Sequence, residues 1–380
     1  MQESDGADGR HNRKQATPPE GNLRRGGFSL SVGKYAVKGV RRKKERLNTL
    51  MLVSKKKGWI EATKIQQRGA ALLLCVALIV SALAGCGGKD GPAEQRPAAD
   101  TVEYTNLNDS ASRQLLERLL SDAGVSEERM EDFFSRVNRF NDSVSAEWLT
   151  QGFETAGITE TKYDPYEMQD LWTEKNRAFP GYNCRITAMS LFGEFLSFGE
   201  DTDFDAGEDV LSVDEETLKA DPKALGGSSL NDFRALYAPM KAEDSTEVGR
   251  HVRTVQAQWR KRGVSFRDSE RIRLITIFFH DKPTEEGSLL FVGHVGVLLC
   301  AEDGTLYFIK KVAFQEPYRL LRFTDRTALS DYLMGKYDIS WGQDTARSFI
   351  MENDTLMEGW RPCAENKGSV PQQYHYMIKR

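Results

Sequence analysis

Two side chains stand where nucleophile chemistry would want them. Cys184 ends the stretch Phe179-Pro-Gly-Tyr-Asn-Cys and opens a run in which Ile186, Met189 and Phe192 recur at helical spacing. Asn183 is a good N-cap, so the thiol falls in the first turn of a helix. Unpaired backbone N–H groups and the positive helix end favour the thiolate there, and the same amides would hold an oxyanion. Pro180-Gly181 lets the chain turn sharply into the helix. His294 interrupts the apolar run Leu289-Leu-Phe-Val-Gly-His-Val-Gly-Val-Leu-Leu299. An imidazole inside such a strand needs partners, because buried polar groups left unpaired are costly. Gly293 and Gly296 thin the side chains beside it, leaving room for another backbone or a substrate.

A Cys at a helix start and a His on a later strand form the arrangement of papain-like cysteine enzymes, in which the His is general base to the thiol. The chemistry expected is thiol hydrolysis or transfer at a peptide or amide bond, a cell-wall peptide among the substrates it allows. Hairpin arithmetic points to a third member. If Glu302 pairs with Thr305, paired positions sum to 607 and His294 faces Ala313. Its same-face diagonal neighbours are then Lys311 and Gln315. Gln315 would orient the imidazole through its amide oxygen, and Glu316 would do so if a bulge shifts the register. No cofactor or metal is expected. The Glu200–Asp209 carboxylates alternate as in a calcium loop, but Gly207 is one place late and Ser212 holds the twelfth position, so a solvated acidic loop is the simpler reading.

The elements that must position these groups follow from periodicity. A helix begins at Asn108-Asp109-Ser110 with Leu115, Leu116, Leu119 and Leu120 on one face. A second starts near Ser126, with Glu128 completing a capping box and Met130, Phe133, Phe134 and Val137 as its stripe. Residues 141–180 read as irregular. An amphipathic helix covers Ser245 to Lys261, with Val248, Val252, Val255 and Trp259 inward. Strands then follow at Arg271–Phe279, Leu289–Leu299, Leu306–Val312 and Tyr318–Phe323, with a turn at Glu302–Thr305 and a helix at Asp325–Lys336. Helices first and an antiparallel sheet afterwards is an α+β order, of papain-like arrangement if the Cys and His meet. His251 is assigned to the polar side of its helix, His280 to a strand end and His375 to a polar tail. Trp341–Asn353 reads as a polar loop rather than a groove lining.

The stretch KIQQRGAALLLCVALIVSALAGCGG, residues 64–88, gives an address. An uncharged run from Gly69 to Leu83 follows a basic flank of Lys55, Lys56, Lys57, Lys64 and Arg68. That is an export signal, too short for a spanning helix, which needs about 20 apolar residues. A Cys directly after Leu83-Ala84-Gly85 resembles the lipobox of bacterial lipoproteins, in which the Cys is diacylated and becomes the first mature residue. Two acyl chains anchor stably, so Cys86 is expected to hold the chain on the extracytoplasmic face of the cell membrane. Met51 offers a start for a signal of ordinary length. Residues 1–50 then read as an over-extended or disordered N-terminus, 51–85 as signal peptide and 86–102 as a flexible tether. Residues 103–365 read as one α+β domain, and 366–380 as a polar C-terminal tail.

Composition narrows the partners. The net charge of −4 hides opposite halves: residues 1–85 carry 17 Lys/Arg against 6 Asp/Glu, leaving 35 basic and 50 acidic residues after them. A body so acidic is repelled by polynucleotides, so no nucleic-acid partner is expected; the membrane is met through lipid on Cys86. Cys75 leaves with the signal and Cys86 takes lipid, so Cys184, Cys300 and Cys363 remain, too few for a disulfide scaffold. None has CxxC spacing, which leaves a zinc site unsupported.

Four stretches carry a family resemblance: Pro-Gly-Tyr-Asn-Cys-Arg-Ile-Thr, Gly-His-Val-Gly-Val-Leu, Ala-Phe-Gln-Glu-Pro-Tyr and the run from Lys336 to Asn353. With the lipobox they resemble a family of bacterial lipoproteins of unknown function (domain of unknown function, number 4300), over roughly residues 103–360. The resemblance implies location and supplies no catalytic residue. A non-catalytic envelope binding or interaction protein, with Cys184 and His294 as core residues, therefore stands beside the thiol enzyme. A two-lobed solute-binding protein fits less well, since repeated βα units are lacking.

Overall fold

The computed structural model describes residues 101–158, 162–199, 208–284, 287–339 and 342–363. The signal, Cys86, the acidic segment 200–207, Trp341 and His375 lie outside them. Among the described residues, no helix is long and apolar enough to cross a membrane.

The first strand, β1 (Thr101–Thr105), precedes two amphipathic helices, α1 (Ser110–Asp122) and α2 (Glu127–Asn141). Asp109 caps α1 by accepting from the Ser112 amide at 2.9 Å. The capping box expected at α2 does not form: the Ser126 side chain makes no cap bond, and its amide donates instead to Glu194 Oε1 at 2.9 Å. Residues 141–180 are more ordered than periodicity suggested, holding β2 (Glu154–Gly157) and α3 (Pro165–Asn176). Next come α4 (Cys184–Phe192), β3 (Leu196–Ser197), α5 (Glu208–Ala220), α6 (Leu230–Tyr237), β4 (Met240–Lys241), α7 (Val248–Lys261) and β5 (Ser265–Phe266). The C-terminal part supplies β6 (Ile272–Thr284), β7 (Gly287–Cys300), β8 (Leu306–Lys311), β9 (Tyr318–Phe323), α8 (Arg326–Tyr337), β10 (Phe349–Glu352) and β11 (Thr355–Leu356). Among the described residues the fold is mixed α+β with eight α-helices and a mostly antiparallel sheet.

That sheet runs β11-β10-β6-β7-β8-β9-β1-β2, with β4 also paired to β7. Side-chain alternation splits its two faces. Leu274, Phe278, Val292, Val295 and Val297 join the larger core with α1 to α7, while Ile275, Ile277, Phe279, Leu298 and Phe308 join a smaller core under α8. Both faces are covered, which is why β7 reads as a nearly unbroken apolar run rather than an alternating one. All nine residues of α4 are buried, in keeping with its lack of a polar face. Part of the segment taken as a polar loop, Trp341–Asn353, is in fact β10, buried against β6.

The candidate thiol site

The long strand β7 sets the site. One edge pairs with β6 along most of its length. The other edge pairs with β8 from Val297 to Cys300 and with β4 at Leu289 and Leu290. Between them, residues 291–296 have no strand partner on that edge among the described residues, and the first turn of α4 fills the gap. The Val295 amide donates to the Cys184 sulfur, and Arg185 Nη1 donates to the Val292 carbonyl at 3.2 Å. Buried strand amides and carbonyls must find partners, and here a helix start supplies them.

The turn is held from the other side by charge. Asn183 caps α4 by accepting from the Ile186 amide at 3.1 Å and donates to Asp214 Oδ1 at 2.7 Å. Asp214, on α5, also takes two bonds from Arg185, Nε at 2.9 Å and Nη2 at 2.6 Å. This fork geometry is the strong form of an ion pair. Burial works against the Arg185 charge, and Asp214 more than restores it, so the guanidinium stays firmly protonated.

Cys184 sits at the helix start as expected, 8 % exposed. Burial pushes its thiol up; Arg185 and the amides of Val295 and Arg185 pull against that without winning. His294 is 1 % exposed and aligned with Ile277, so its ring projects to the α8 side of the sheet, away from α4. It lies flat on Tyr337, with ring centroids 4.6 Å apart at 17°. Its Nε2 has no hydrogen-bond partner among the described residues. Burial holds the imidazole well below its usual range, helped by Lys310, Lys336 and Arg185. The two groups therefore come within one peptide link of each other through the Val295 amide, yet the side chains diverge to opposite faces and share no hydrogen bond.

The third member is not where the hairpin arithmetic placed it. Val297 pairs with Ile309 and Cys300 with Leu306, so positions sum to 606, and pairing stops before His294. A shift of one residue exchanges faces. Lys310, not Lys311 or Gln315, thus shares the His294 side. Gln315 is half-buried and makes no bond to His294. Glu316 is buried and accepts from the Tyr163 hydroxyl at 2.8 Å. Lys311 projects to the opposite face, over the Phe140 ring at 4.0 Å, and donates to the Ala313 carbonyl at 2.9 Å. The two glycines admit no substrate either. A Cβ at Gly293 would lie 2.3 Å from the Phe279 ring, and one at Gly296 would lie 2.4 Å from the Phe308 ring. Gly293 is also the extra residue of a bulge between Ile277 and Phe278.

The other described histidines and thiols lie in the packed interior or at its margin. His251 is fully buried rather than on a polar face, donating from Nε2 to the Ser245 carbonyl at 2.6 Å. His280 lies within β6 rather than at its end; its Nδ1 accepts from the Ala346 amide at 2.9 Å. Cys300 ends β7 and packs under α8, and all three described thiols are free. Among the described residues there is no group of three or more potential metal ligands. Missed by sequence reasoning were Arg185, Asp214, Lys310 and Arg319; a charged residue inside an apolar run was the available signal, as in Phe308-Ile-Lys-Lys-Val312.

The fold and this site define a mixed α+β domain with a cysteine at a helix start, set into a gap in an antiparallel sheet. The chain belongs to the family described as Domain of unknown function (DUF4300), which matches residues 103–357. No curated protein and no solved structure matches it.

Proposed function

We propose that this chain is a membrane-anchored extracytoplasmic lipoprotein whose domain serves a non-catalytic binding or interaction role. The anchor is supported by Leu83-Ala84-Gly85-Cys86 behind a basic flank and a short apolar run. The role is supported by one observation above the rest: the Cys184 thiol and the His294 ring project to opposite faces of the sheet, each enclosed. A general base must come within hydrogen-bond reach of its proton, and here the thiol is spent on filling the gap in β7.

A second reading, thiol hydrolysis or transfer on peptide or amide bonds, is favoured by the Val295 and Arg185 amides at the sulfur, which would serve a thiolate. Alkylation separates the two. On the binding reading, iodoacetamide modifies Cys184 in the folded protein far more slowly than a free thiol, and His294→Ala leaves that rate alone. Fast labelling that collapses in His294→Ala would reverse the conclusion. The anchor is tested apart, by metabolic labelling with an alkyne fatty acid: label incorporates in the wild type and is lost in Cys86→Ser. Equal incorporation in both would remove Cys86 as the anchor.

A further inference from the structure

The smaller core under α8 holds more positive charge than anything beside it neutralises. The Lys310 ammonium is fully buried, and its hydrogen bonds go to two hydroxyls, Tyr332 at 2.7 Å and Tyr337 at 3.5 Å. It lies over both rings, 4.9 and 5.6 Å from their centroids. Arg319, buried on β9, stands over the Tyr104 ring at 4.6 Å and donates from Nη2 to the Tyr163 hydroxyl at 3.2 Å. Among the described residues its Nε is buried with no acceptor, and Nε2 of His294 is buried with no partner. Lys336, half-buried on α8, makes no hydrogen bond or ion pair among the described residues, and Lys310 and Arg319 both act on its charge.

One described carboxylate, Glu316, reaches this set, and the Tyr163 hydroxyl already donates to it. Facing the set from neighbouring elements are Arg185 from α4, Cys184 from α4 and Tyr104 from β1. None of these adds negative charge at neutral pH. Buried cations are ordinarily paired, so what the cluster lacks is an anion. A guanidinium donor with an open N–H and two ammonium groups form the donor set that carboxylate and phosphate oxygens take.

We infer that Lys310, Lys336, Arg319 and His294 form an oxyanion-binding centre beneath α8, with Lys336 its most exposed member, for the carboxylate or phosphate group of a small ligand. It rests on the binding reading above and gives that reading a ligand class. It uses different atoms from the thiol, so the two fail separately. Fast alkylation of Cys184 would sink the reading and leave the anion centre measurable.

The test is thermal unfolding of the full chain in detergent, titrated with phosphate or succinate against sodium chloride of matched ionic strength. At pH 6.5 a saturable rise in melting temperature is expected with at least one of the two probes. A phosphate-only response indicates a phosphate ligand, and a succinate-only response a carboxylate. Because burial brings Lys310 down to about 7 and Lys336 to about 8, the rise should shrink at least several-fold by pH 9.5. Lys336→Met and Lys336→Gln, placed at the rim where folding tolerates change, should weaken the apparent affinity about tenfold or more. Identical curves in all three salts would overturn the inference, as would a full response in both Lys336 variants.

Discussion

The Val295 amide donates to the Cys184 sulfur in the stretch of the β7 edge between its β4 and β8 partners, which no described strand covers. A cysteine here acts as a plug: it accepts a strand N–H that would otherwise be buried and unpaired. Cys184→Ala should cost about 1–3 kcal/mol, the usual range for stranding a buried donor, and Cys184→Ser should recover part of it. Chemical denaturation of the three proteins measures this; equal stability of Ala and wild type would show the bond to be idle.

Asp214 is a sharper test of how α4 is held. It takes bonds from Asn183 and two from Arg185, all in the interior. Asp214→Ala leaves a buried guanidinium without its counter-charge and should cost about 3–5 kcal/mol. The double change Arg185→Met with Asp214→Leu should cost clearly less than Asp214→Ala alone. A double-mutant cycle with purely additive losses would contradict the pairing.

Alkaline stability carries a second signature. Burial lowers Lys310 to about 7 and Lys336 to about 8, against about 10.4 in an unfolded chain. Between those values the unfolded state binds more protons, so stability rises with pH. The folded protein should therefore gain stability from pH 7 to pH 9, and Lys310→Met should reduce the gain while raising stability at pH 6.5, the rest being carried by Lys336 and by Lys311, which burial also holds well below its usual range. Urea melts across that range check the slope; a flat wild-type profile would argue that the lysine is not buried.

Acid should act through the two depressed histidines, His294 and His280, of which His280 is the one away from the thiol. Burial, followed by the neighbouring His251, lowers it from 6.5 to about 4. The folded state refuses a proton that the unfolded state accepts, so its contribution is full above pH 6.5 and lost as pH falls towards 4. The loss amounts to about 3 kcal/mol at most. His280→Gln should remove the His280 share of the acid slope, leaving that of His294, while weakening the bond from the Ala346 amide at all pH values.

Gly296→Ala probes the approach of Phe308. With 2.4 Å between an added Cβ and that ring, the strand or the ring must shift, and overpacking of this kind costs about 1–3 kcal/mol. A melting temperature equal to wild type would mean that the ring has room to turn.

Much of this molecule was written in local pattern. The 3.6-residue recurrence of Leu116 and Leu120, and of Phe133 and Val137, marks α1 and α2 because an amphipathic stripe has to face a core. Asn183 before Cys184 located the start of α4, since side-chain oxygens satisfy the orphan amides there. The apolar runs of β6 to β9 and the Glu302–Thr305 turn were legible for the same local reasons. What tertiary structure alone decided was which side of the sheet each group takes. One residue of register at the β7–β8 hairpin put Lys310 rather than Lys311 beside His294. The single-residue bulge at Gly293 sits next to that histidine, and only the paired strands reveal it. Asp214 met Arg185 from 29 positions away, a distance no periodicity spans. Helix and strand type follow from neighbours along the chain, whereas the face on which a side chain meets its partner follows from pairing across it.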